Sequence, residues 1–310
     1  MRGTYQTIFT MRIFITGATG FLGFHVANIC VKNNNEVLCL RRTSSKSKFS
    51  LAIGKNIKWV NRDTADWKAV IKDFAPDVLI HAAWEGVSSE DRNNEEVQKR
   101  NIKFTRELIT LTSYKQIIIF GSQDEYGMID HIVTESDTVR PVSEYAKAKI
   151  ECCNFLKEYA ESHCIVWQWI RIFSIYGEYQ NSNWLMPSII QRCLSGEKDI
   201  ETTKGEQTYS YLYSTDFAKA IYLILGKERA CNGIYNLSSE HPIRLKDLFG
   251  VVKELTHSKI NFIPCLPYRR NQSMTILGNS QKFIDTFGKF EETTLQTGIN
   301  NLIEFYTHNK

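Results

Sequence analysis

The segment "TGATGFLG", residues 16–23, decides the fold of this chain. It follows the β-branched stretch "RIFIT" (12–16) and leads into "FLGFHVANICVKN" (21–33), which has the apolar spacing of a helix. Glycines at this spacing permit a tight turn, close approach of a phosphate and close packing of helix on strand. The start of the helix then faces a pyrophosphate, because helix N-termini attract anions. The pattern predicts a dinucleotide site, and the alternative is a plain strand–turn–helix. The predicted contacts are Gly17, Thr19, Gly20, Phe21, Leu22 and Gly23.

Strands and helices alternate from this turn to about residue 173. Such alternation is typical of a parallel sheet covered by helices on both faces. The sequence therefore predicts an α/β protein with a Rossmann-type doubly wound parallel sheet. The predicted strands cover 12–16, 36–40, 57–60, 77–83, 116–120 and 164–173, and the predicted helices cover 21–33, 65–74, 93–113 and 142–162.

The last third of the chain follows a looser pattern of short strands and helices. We expect residues 11–173 to form the dinucleotide-binding domain, with 205–238 returning to it. Residues 174–204 and 239–310 are expected to form a smaller mixed α/β lobe over the carboxyl ends of the strands, where open α/β sheets bind ligands. Residues 1–10 lack the long apolar run of a signal peptide, so we interpret them as an N-terminal extension.

Composition narrows the function classes. The chain has 310 residues, of which 43% are hydrophobic and 23% charged, and its formal net charge is only +4. No basic block predicts nucleic-acid binding, and no apolar run reaches the roughly 20 residues that a membrane span needs. The eight cysteines show no CxxC spacing and the seven histidines no ligand spacing. We therefore expect reduced thiols, a cytoplasmic protein and no metal site.

The end of the second predicted strand, "LCLRRTSS", indicates which dinucleotide is used. In NAD-binding proteins of this type an acidic residue at that point accepts a hydrogen bond from the ribose 2′-hydroxyl. Here Arg41 and Arg42 stand in its place. A guanidinium pairs well with a 2′-phosphate, so the sequence predicts NADP(H). The alternative is a basic surface turn.

The segment "SEYAKAK" (143–149) predicts an acid–base pair. Tyr145 and Lys149 are four residues apart, which places them on one face of a helix. A neighbouring ammonium favours the phenolate and is expected to lower the pKa of the phenol, ordinarily about 10. Such a pair can give a proton to a carbonyl oxygen or take one from an alcohol. The alternative is an exposed helical pair without function.

From about residue 11 to its end the chain resembles the extended short-chain dehydrogenase/reductases, in their NAD-dependent epimerase/dehydratase branch. The resemblance rests on "TGATGFLG", "HAA" (81–83), "YAKAK" (145–149) and "RIFSIYG" (171–177), in order and spacing. It implies that Ser122, Tyr145 and Lys149 are catalytic and that Lys149 also holds the nicotinamide ribose. The remaining cofactor contacts that it implies are Asp63 at the adenine, with Thr64, Ala82 and Ala83. It further implies a homodimer formed through 93–113 and 142–162 as a four-helix bundle.

The segment "FGSQDEYG" (120–127) bears on the reaction. In the sugar-nucleotide 4,6-dehydratases of this family, the catalytic hydroxyl precedes an acidic pair or a serine–glutamate pair. Here Ser122 precedes Gln123 and Asp124. An amide has no titratable proton near neutral pH, and aspartate is one methylene shorter than glutamate. The segment therefore lacks the usual acid–base groups for elimination. We expect Gln123 and Asp124 to bind sugar hydroxyls, the alternative being two turn-forming residues.

The substrate side departs from the commonest family pattern. Tyr209 stands where the family usually has an arginine that binds the nucleotide, and Ser174 stands where the family commonly has an asparagine. Arg269 and Arg270 stand where the family places a pyrophosphate-binding arginine. An aromatic residue at position 209 resembles the pattern of the 4-keto-6-deoxysugar reductases. Trp84, after the "HAA" motif, is a further candidate substrate contact.

The predicted function is NADPH-dependent reduction of the C4 ketone of a nucleotide-diphosphate-linked 4-keto-6-deoxyhexose. The preferred substrate is dTDP-4-dehydro-6-deoxyglucose, followed by CDP-linked 4-keto-3,6-dideoxy sugars, for surface polysaccharides such as the O-antigen of lipopolysaccharide. A 4-epimerase, a 4,6-dehydratase and a non-catalytic NADP-binding regulator remain as alternatives. The epimerase usually keeps NAD, which Arg41 disfavours, and the regulator would be expected to lose Tyr145 and Lys149.

Overall fold

The computed structural model describes residues 10–45, 57–88, 91–268 and 272–308. Its main element is a seven-stranded sheet, and all strands of that sheet run parallel. The strands of the described residues, in chain order, are β1 Arg12–Thr16, β2 Glu36–Arg41, β3 Ile57–Asn61, β4 Val78–His81, β5 Gln116–Phe120, β6 Ile132–Val133, β7 Val166–Ile172, β8 Ile175–Tyr176, β9 Asp199–Glu201, β10 Thr208–Ser210, β11 Leu212–Tyr213, β12 Gly233–Leu237, β13 Pro242–Arg244, β14 Asn261–Ile263 and β15 Thr275–Gly278.

The strand order of the large sheet is β12-β7-β5-β4-β1-β2-β3. The order reverses at β1, and a reversal of this kind opens a crevice at the carboxyl ends of the strands. This arrangement confirms the predicted Rossmann-type doubly wound sheet. Any ligand of the sheet is therefore expected beside the turn that follows β1.

Helices cover both faces of this sheet. The helices of the described residues are α1 Phe21–Lys32, α2 Trp67–Phe74, α3 Glu95–Ile109, α4 Glu144–Ser162, α5 Leu185–Leu194, α6 Ser214–Ile224, α7 Leu245–Leu255, α8 Gln281–Phe287 and α9 Leu295–His308. Helices α1 and α6 pack on one face and α2, α3 and α4 on the other, whereas α5, α7 and α9 pack into a separate core. In the described part of the chain no helix has the length and apolar character needed to cross a bilayer.

Successive side chains of one strand point to opposite faces of the sheet, and each face is covered by a hydrophobic core. This explains why the strand sequences are continuous apolar runs. In β1, Ile13 and Ile15 pack into a cluster with α1 and α6, whereas Phe14 packs into a second cluster with α2, α3 and α4. All three side chains are fully buried. Burial on both faces fixes the register of the sheet and hence the position of every strand end.

Two helices of the second cluster start with polar caps. The side chain of Asn94 accepts a hydrogen bond from the backbone N–H of Val97 at the start of α3, and that of Ser143 accepts from Ala146 at the start of α4. Such caps satisfy N–H groups that have no partner within the helix. Because Ser143 fixes the beginning of α4, Tyr145 lies in its first turn.

The smaller lobe has its own core and a four-stranded sheet of order β13-β10-β15-β6. Ile190 of α5, Leu248 of α7 and Ile299 of α9 are buried in one cluster. The segment 205–238 contributes to both parts of the molecule. Strand β12 pairs with β7 and α6 packs on α1, while β10 pairs with β13 and β15.

Candidate active site

The turn after β1 can be built only with glycine at its first position. Gly17 has a positive φ of 79°, and a Cβ there would lie 2.7 Å from the backbone nitrogen of Ala83. A Cβ on Gly23 would lie 2.2 Å from the carbonyl oxygen of Gly17. The turn is closed by a 2.9 Å hydrogen bond from the Gly20 N–H to the same carbonyl. The backbone is thus brought close to Ala82 and Ala83, leaving room for a ligand and none for side chains.

A cleft of about 370 Å³ lies above this turn, at the carboxyl ends of β1, β2 and β4. It contains half of the residues predicted to bind the dinucleotide. Phe21 and Leu22 instead pack against the core beneath the turn. The lining residues are Thr16, Gly17, Thr19, Gly20, Leu40, Arg41, Arg42, Ser45, Arg62, Ala82, Ala83, Trp84, Glu85, Arg100, Asn101 and Phe104.

One end of the cleft is rich in arginine. The sequence predicted Arg41 and Arg42 there, and the structure adds Arg62 and Arg100. A single carboxylate, that of Glu85, lies among the cleft-lining residues. It accepts a 2.8 Å hydrogen bond from Nη1 of Arg42 and lies 3.5 Å from Nε of Arg100. The side chains of Arg42, Glu85 and Arg100 are about half exposed, so solvent screens both ion pairs.

The backbone that carries Glu85 is fixed by Asn101. The side chain of Asn101 accepts a 3.0 Å hydrogen bond from the Glu85 N–H and donates a 2.8 Å one to its carbonyl oxygen. These bonds hold the loop after β4 against α3. Sequence patterns gave no signal for this bridge, because its members come from three separate elements.

Asp63 joins the loops that follow β2 and β3. Its carboxylate accepts a 2.7 Å hydrogen bond from the backbone N–H of Thr43, and this bond holds the pKa of Asp63 below its usual range. Thr64 donates hydrogen bonds to the carbonyl of Asn61. The contact of Asp63 with adenine stays a prediction. The structure shows that Asp63 holds the start of the loop that follows β2.

His81, at the end of β4, supports the turn from below. Its Nδ1 lies 2.7 Å from Oγ1 of Thr16 and its Nε2 lies 3.0 Å from Oγ1 of Thr105. Burial, with smaller contributions from the charges of Lys149 and Arg62, lowers the pKa of His81 to about 3. The imidazole is therefore neutral at physiological pH and acts as a hydrogen-bonded link between β1 and α3.

The structure brings Ser122, Tyr145 and Lys149 together. Ser122 follows β5, and the other two lie on the first turns of α4. Ser122 lies close enough to Tyr145 to lower the pKa of that phenol through its hydroxyl. The Lys149 ammonium donates a 2.6 Å hydrogen bond to the carbonyl of Phe120 and lies 3.6 Å from the centroid of the Trp84 ring. All three catalytic candidates are buried.

Burial dominates the electrostatics of this group. It raises the pKa of Tyr145, against the lowering effects of the Ser122 hydrogen bond and of the Arg92 charge. It also lowers the pKa of Lys149 to about 7. The net shift of the Tyr145 pKa is thus opposite to the lowering expected from Lys149, because desolvation of the phenolate outweighs the lowering effects of Ser122 and Arg92. Tyr145 is a neutral phenol, the form that can donate a proton.

A buried carboxylate that was not predicted positions Ser122. Glu125 is fully buried, and its Oε1 accepts from the Ser122 N–H at 2.8 Å and from Nε1 of Trp169 at 2.9 Å. Its Oε2 accepts from Nε of Arg171 at 2.8 Å. The Ser122 side chain in turn accepts from the N–H of Asp124, which makes a reciprocal capping box. The Ser-x-x-Glu spacing in "FGSQDEYG" carried this signal.

Gln123 and Asp124 differ in what they offer a substrate. The carboxylate of Asp124 forms an ion pair with Arg92. Gln123 Oε1 is buried and has no hydrogen-bond partner in the described part of the chain. The amide oxygen is therefore ready to accept a hydrogen bond, whereas the carboxylate is already engaged.

The remaining substrate candidates are spread over both parts of the molecule. The ring of Trp84 stands perpendicular to that of Tyr145, with centroids 5.9 Å apart. Ser174 follows β7, and the Tyr209 hydroxyl donates a 3.0 Å hydrogen bond to the carbonyl of Ser273. Arg269 and Arg270 lie outside the described residues. Within the described ranges, no group of three or more His, Cys, Asp or Glu side chains could hold a metal ion.

A glycine-built cleft beside a buried serine, tyrosine and lysine defines an extended short-chain dehydrogenase/reductase. The model of the NAD dependent epimerase/dehydratase family matches residues 13–238, so the chain belongs to that family. This confirms the resemblance found in the sequence.

Curated relatives of this chain carry out several reactions. It is 26% identical over 319 residues to an Arabidopsis thaliana trifunctional UDP-glucose 4,6-dehydratase/UDP-4-keto-6-deoxy-D-glucose 3,5-epimerase/UDP-4-keto-L-rhamnose-reductase, with 96% of this chain covered. It spans only 47% of that plant enzyme. It is 25% identical over 322 residues to the dTDP-D-glucose 4,6-dehydratase of Homo sapiens, covering 97% of this chain and 91% of the human one.

Solved structures share the fold. A UDP-N-acetylglucosamine 4-epimerase from Methanobrevibacter ruminantium M1, in complex with UDP-N-acetylmuramic acid, superposes with a TM-score of 0.87 at 23% identity, covering 97% and 99% of the two chains. A dTDP-glucose 4,6-dehydratase from Streptomyces venezuelae with NAD and TYD bound gives 0.83 at 19% identity, covering 96% and 98%.

Proposed function

We propose that this protein transfers hydride at C4 of a nucleotide-linked hexose. The observation that carries the proposal is the buried group of Ser122, Tyr145 and Lys149 at the carboxyl edge of the sheet, where the Lys149 ammonium lies 5.7 Å from the ring centroid of Tyr145. In the reducing direction Tyr145 donates its proton to the C4 oxygen, and Ser122 donates a hydrogen bond to the same oxygen. The Lys149 cation favours the resulting phenolate. A nicotinamide dinucleotide, when bound, supplies or accepts the hydride.

The cleft fits such a dinucleotide. Any side chain on Gly17 would collide with Ala83, and this bare backbone is what a pyrophosphate needs for close approach. Thr19 and Gly20 would face the phosphates, and Lys149 would face the nicotinamide ribose. Arg41, with Arg42 freed from Glu85, would pair with a 2′-phosphate, so we propose NADP(H) over NAD.

Among the reactions of the family we propose reduction of a preformed C4 ketone. A 4,6-dehydratase needs groups that remove the C5 proton and expel the C6 hydroxyl. Here Gln123 has no titratable proton, and Asp124 is ion-paired with Arg92. Ketone reduction needs only Ser122, Tyr145 and Lys149. The substrate class is a nucleotide-linked 4-keto-6-deoxyhexose, with dTDP-4-dehydro-6-deoxyglucose first and CDP-linked 4-keto-3,6-dideoxy sugars second.

A 4-epimerase is the second candidate. The relatives and solved neighbours cited above are named as epimerases and dehydratases, apart from the reductase activity in the name of the trifunctional plant enzyme, and they support this reading more directly than a dedicated reductase. The same three residues would take the proton of the C4 hydroxyl while a bound dinucleotide would accept the C4 hydride, and both would return after the ketone has presented its opposite face. The cleft also contains an acid, Glu85, which is paired with Arg42 and could accept a hydrogen bond from a ribose hydroxyl. In either case we infer that the lobe formed by 174–204 and 239–310 holds the nucleotide sugar.

One experiment separates the candidates. Purified protein is incubated with NADPH and a panel of 4-keto nucleotide sugars, and separately with dTDP-, UDP- and CDP-hexoses without added reductant. A reductase consumes NADPH in proportion to product, whereas an epimerase interconverts C4 isomers without net consumption. Tyr145→Phe is the control for both arms.

A heavy-water arm tests the third candidate. If the enzyme only reduces a ketone, deuterium enters C5 of the keto substrate no faster than without enzyme. Deuterium at C5 at catalytic rates, seen by NMR or mass spectrometry, would identify Asp124 as a carbon base and move the assignment to a dehydratase.

We also propose a cytoplasmic homodimer formed through α3 and α4. The outward face of this pair carries the Arg106–Glu151 ion pair, and the Arg106 guanidinium lies 5.0 Å from the ring centroid of the half-buried Phe155. A mixed face of this kind suits a modest, partly polar interface. Light scattering at micromolar concentration tests it, and a monomeric mass would contradict it.

A further inference from the structure

We propose that Arg92 is a positioning residue. It holds Asp124 as an ion pair against Tyr145, so that this carboxylate neither repels charge on the phenolic oxygen nor takes part in proton transfer. The proposal rests on the assignment of Tyr145 as the proton donor. It goes further by explaining why a site with a carboxylate two residues from Ser122 is restricted to chemistry at C4.

The backbone and side chain of Arg92 are both anchored. Its carbonyl accepts a 2.9 Å hydrogen bond from the N–H of Tyr145 itself, and its Nε donates one of 3.1 Å to the carbonyl of Val87. The next residue, Asn93, accepts a 3.3 Å hydrogen bond from the N–H of Glu144. The segment before α3 is therefore tied to the first turn of α4.

The guanidinium of Arg92 lies between two groups of the site. Its carbon is 5.1 Å from the ring centroid of Tyr145, and the group forms an ion pair with the carboxylate of Asp124. The two partners are less than one-third exposed. A charge pair this shielded from water interacts more strongly than a surface pair.

The charges that face Tyr145 show what removing Arg92 would do. Asp124 and Glu125 approach from the turn after β5, and each has a guanidinium partner, Arg92 and Arg171. Lys149 approaches from α4 itself. Both carboxylates raise the pKa of Tyr145 and Arg92 lowers it. Without Arg92, Asp124 would face the phenol as an uncompensated negative charge.

The proposal predicts a pattern that neither a structural role nor a substrate contact would give. If Arg92 acts through Asp124, neutralising Asp124 as well should undo the effect of losing Arg92. If Arg92 only secures the loop or grips the substrate, the second substitution should not restore anything. A double-mutant cycle therefore isolates the interaction.

The test uses no substrate, so it is independent of the proposed reaction. A 3,5-difluorotyrosine incorporated at position 145 makes the phenol more acidic, and its titration can be followed by absorbance. We expect Arg92→Met to raise the titration midpoint by at least half a pH unit, and Arg92→Met/Asp124→Asn to return it to within about 0.3 unit of the parent. Arg192→Met, which breaks the surface Arg192–Glu197 pair, is the matched control and should not shift it.

Two results would overturn the proposal. One is an unchanged midpoint in Arg92→Met. The other is a raised midpoint that persists in the double variant, which would mean that the substitution disturbs the fold of the site. Near-ultraviolet circular dichroism of each variant checks that the variants are folded. Failure of the parent to turn over any nucleotide sugar would instead refute the proposed function and leave this titration result standing.

Discussion

The candidate site holds its charges in opposite ways at its two ends, the catalytic end around Ser122, Tyr145 and Lys149 and the dinucleotide end at the arginine-rich cleft. At the catalytic end, Glu125 and Arg171 are 0% and 5% exposed and are bonded to each other, and Glu125 also accepts hydrogen bonds from Ser122 and Trp169. At the dinucleotide end, Arg42 and Glu85 are 52% and 45% exposed. A buried pair cannot lose one member without leaving the other unpaired, whereas water or a ligand phosphate can replace an exposed partner. The chemistry is thus fixed by the fold, while the choice of dinucleotide can be changed by a few surface side chains.

The largest expected effect is at the catalytic end. Tyr145→Phe should lower turnover by about 10²–10⁴-fold, since the proton donor is lost. Dinucleotide affinity, measured by calorimetry, should stay close to that of the parent. Tyr159→Phe, on the same helix, is the control and should keep its activity. Full activity in Tyr145→Phe would assign the proton donor to another residue.

The difference between the buried pair at the catalytic end and the exposed pair at the dinucleotide end can be measured as a difference in the free energy of unfolding. Glu125→Gln should lower the free energy of unfolding by about 3–5 kcal/mol, because it leaves Arg171 buried without a counter-charge. Glu85→Gln, at the other end, should change it by less than about 1 kcal/mol. Urea denaturation gives both values. Equal decreases in the free energy of unfolding for the two variants would contradict the contrast between the buried and the exposed ion pair.

Lys149 gives the catalytic end a pH dependence. Burial lowers its pKa to about 7 from the ordinary 10.5, so between these values the unfolded chain binds a proton that the folded one does not. Stability should therefore rise with pH across this window and be lowest below pH 7, with a slope of at most about 1.4 kcal/mol per pH unit. Denaturation at pH 7, 8 and 9 should show this rise in the parent and a flatter profile in Lys149→Met. A parallel pair of profiles would contradict it.

At the dinucleotide end the expected effects are smaller. The parent should bind NADPH at least about tenfold more tightly than NADH, because a guanidinium–phosphate pair is charge-assisted. Arg41→Asp should remove that preference while leaving turnover with the better cofactor measurable. Equal affinities in the parent would refute the NADP(H) assignment.

The smallest effect concerns the acid in the bridge. Glu85→Gln should tighten NADPH binding by about two- to fivefold, since Arg42 and Arg100 are then free to face the phosphate. NADH binding should change little, and the gain should shrink as salt is added. A gain that is equal for both dinucleotides would show that Glu85 acts through the shape of the cleft.

What the sequence could predict depended on separation along the chain. The glycine turn and the Tyr145–Lys149 pair are local patterns, and both lie where they were predicted. The Arg92–Asp124 pair joins residues 32 apart, and the Glu125–Arg171 pair joins residues 46 apart, so no spacing rule reveals them. The sign of the Tyr145 pKa shift was missed for a related reason, because spacing does not measure desolvation.

The position of β12 has a consequence for the order of events during synthesis. Strand β7 ends at Ile172, and the strand that covers its outer edge, β12, begins only at Gly233. Until the ribosome has delivered that segment, the growing chain carries an open edge of backbone N–H and C=O groups, which is a template for pairing with another chain. Bringing the two strands together also requires closing a long loop, a slow kind of contact to form. The last strand of this sheet to be made thus covers the edge of the seven-residue strand β7, and a chain stopped near residue 205 should aggregate although its glycine turn and catalytic residues are all present.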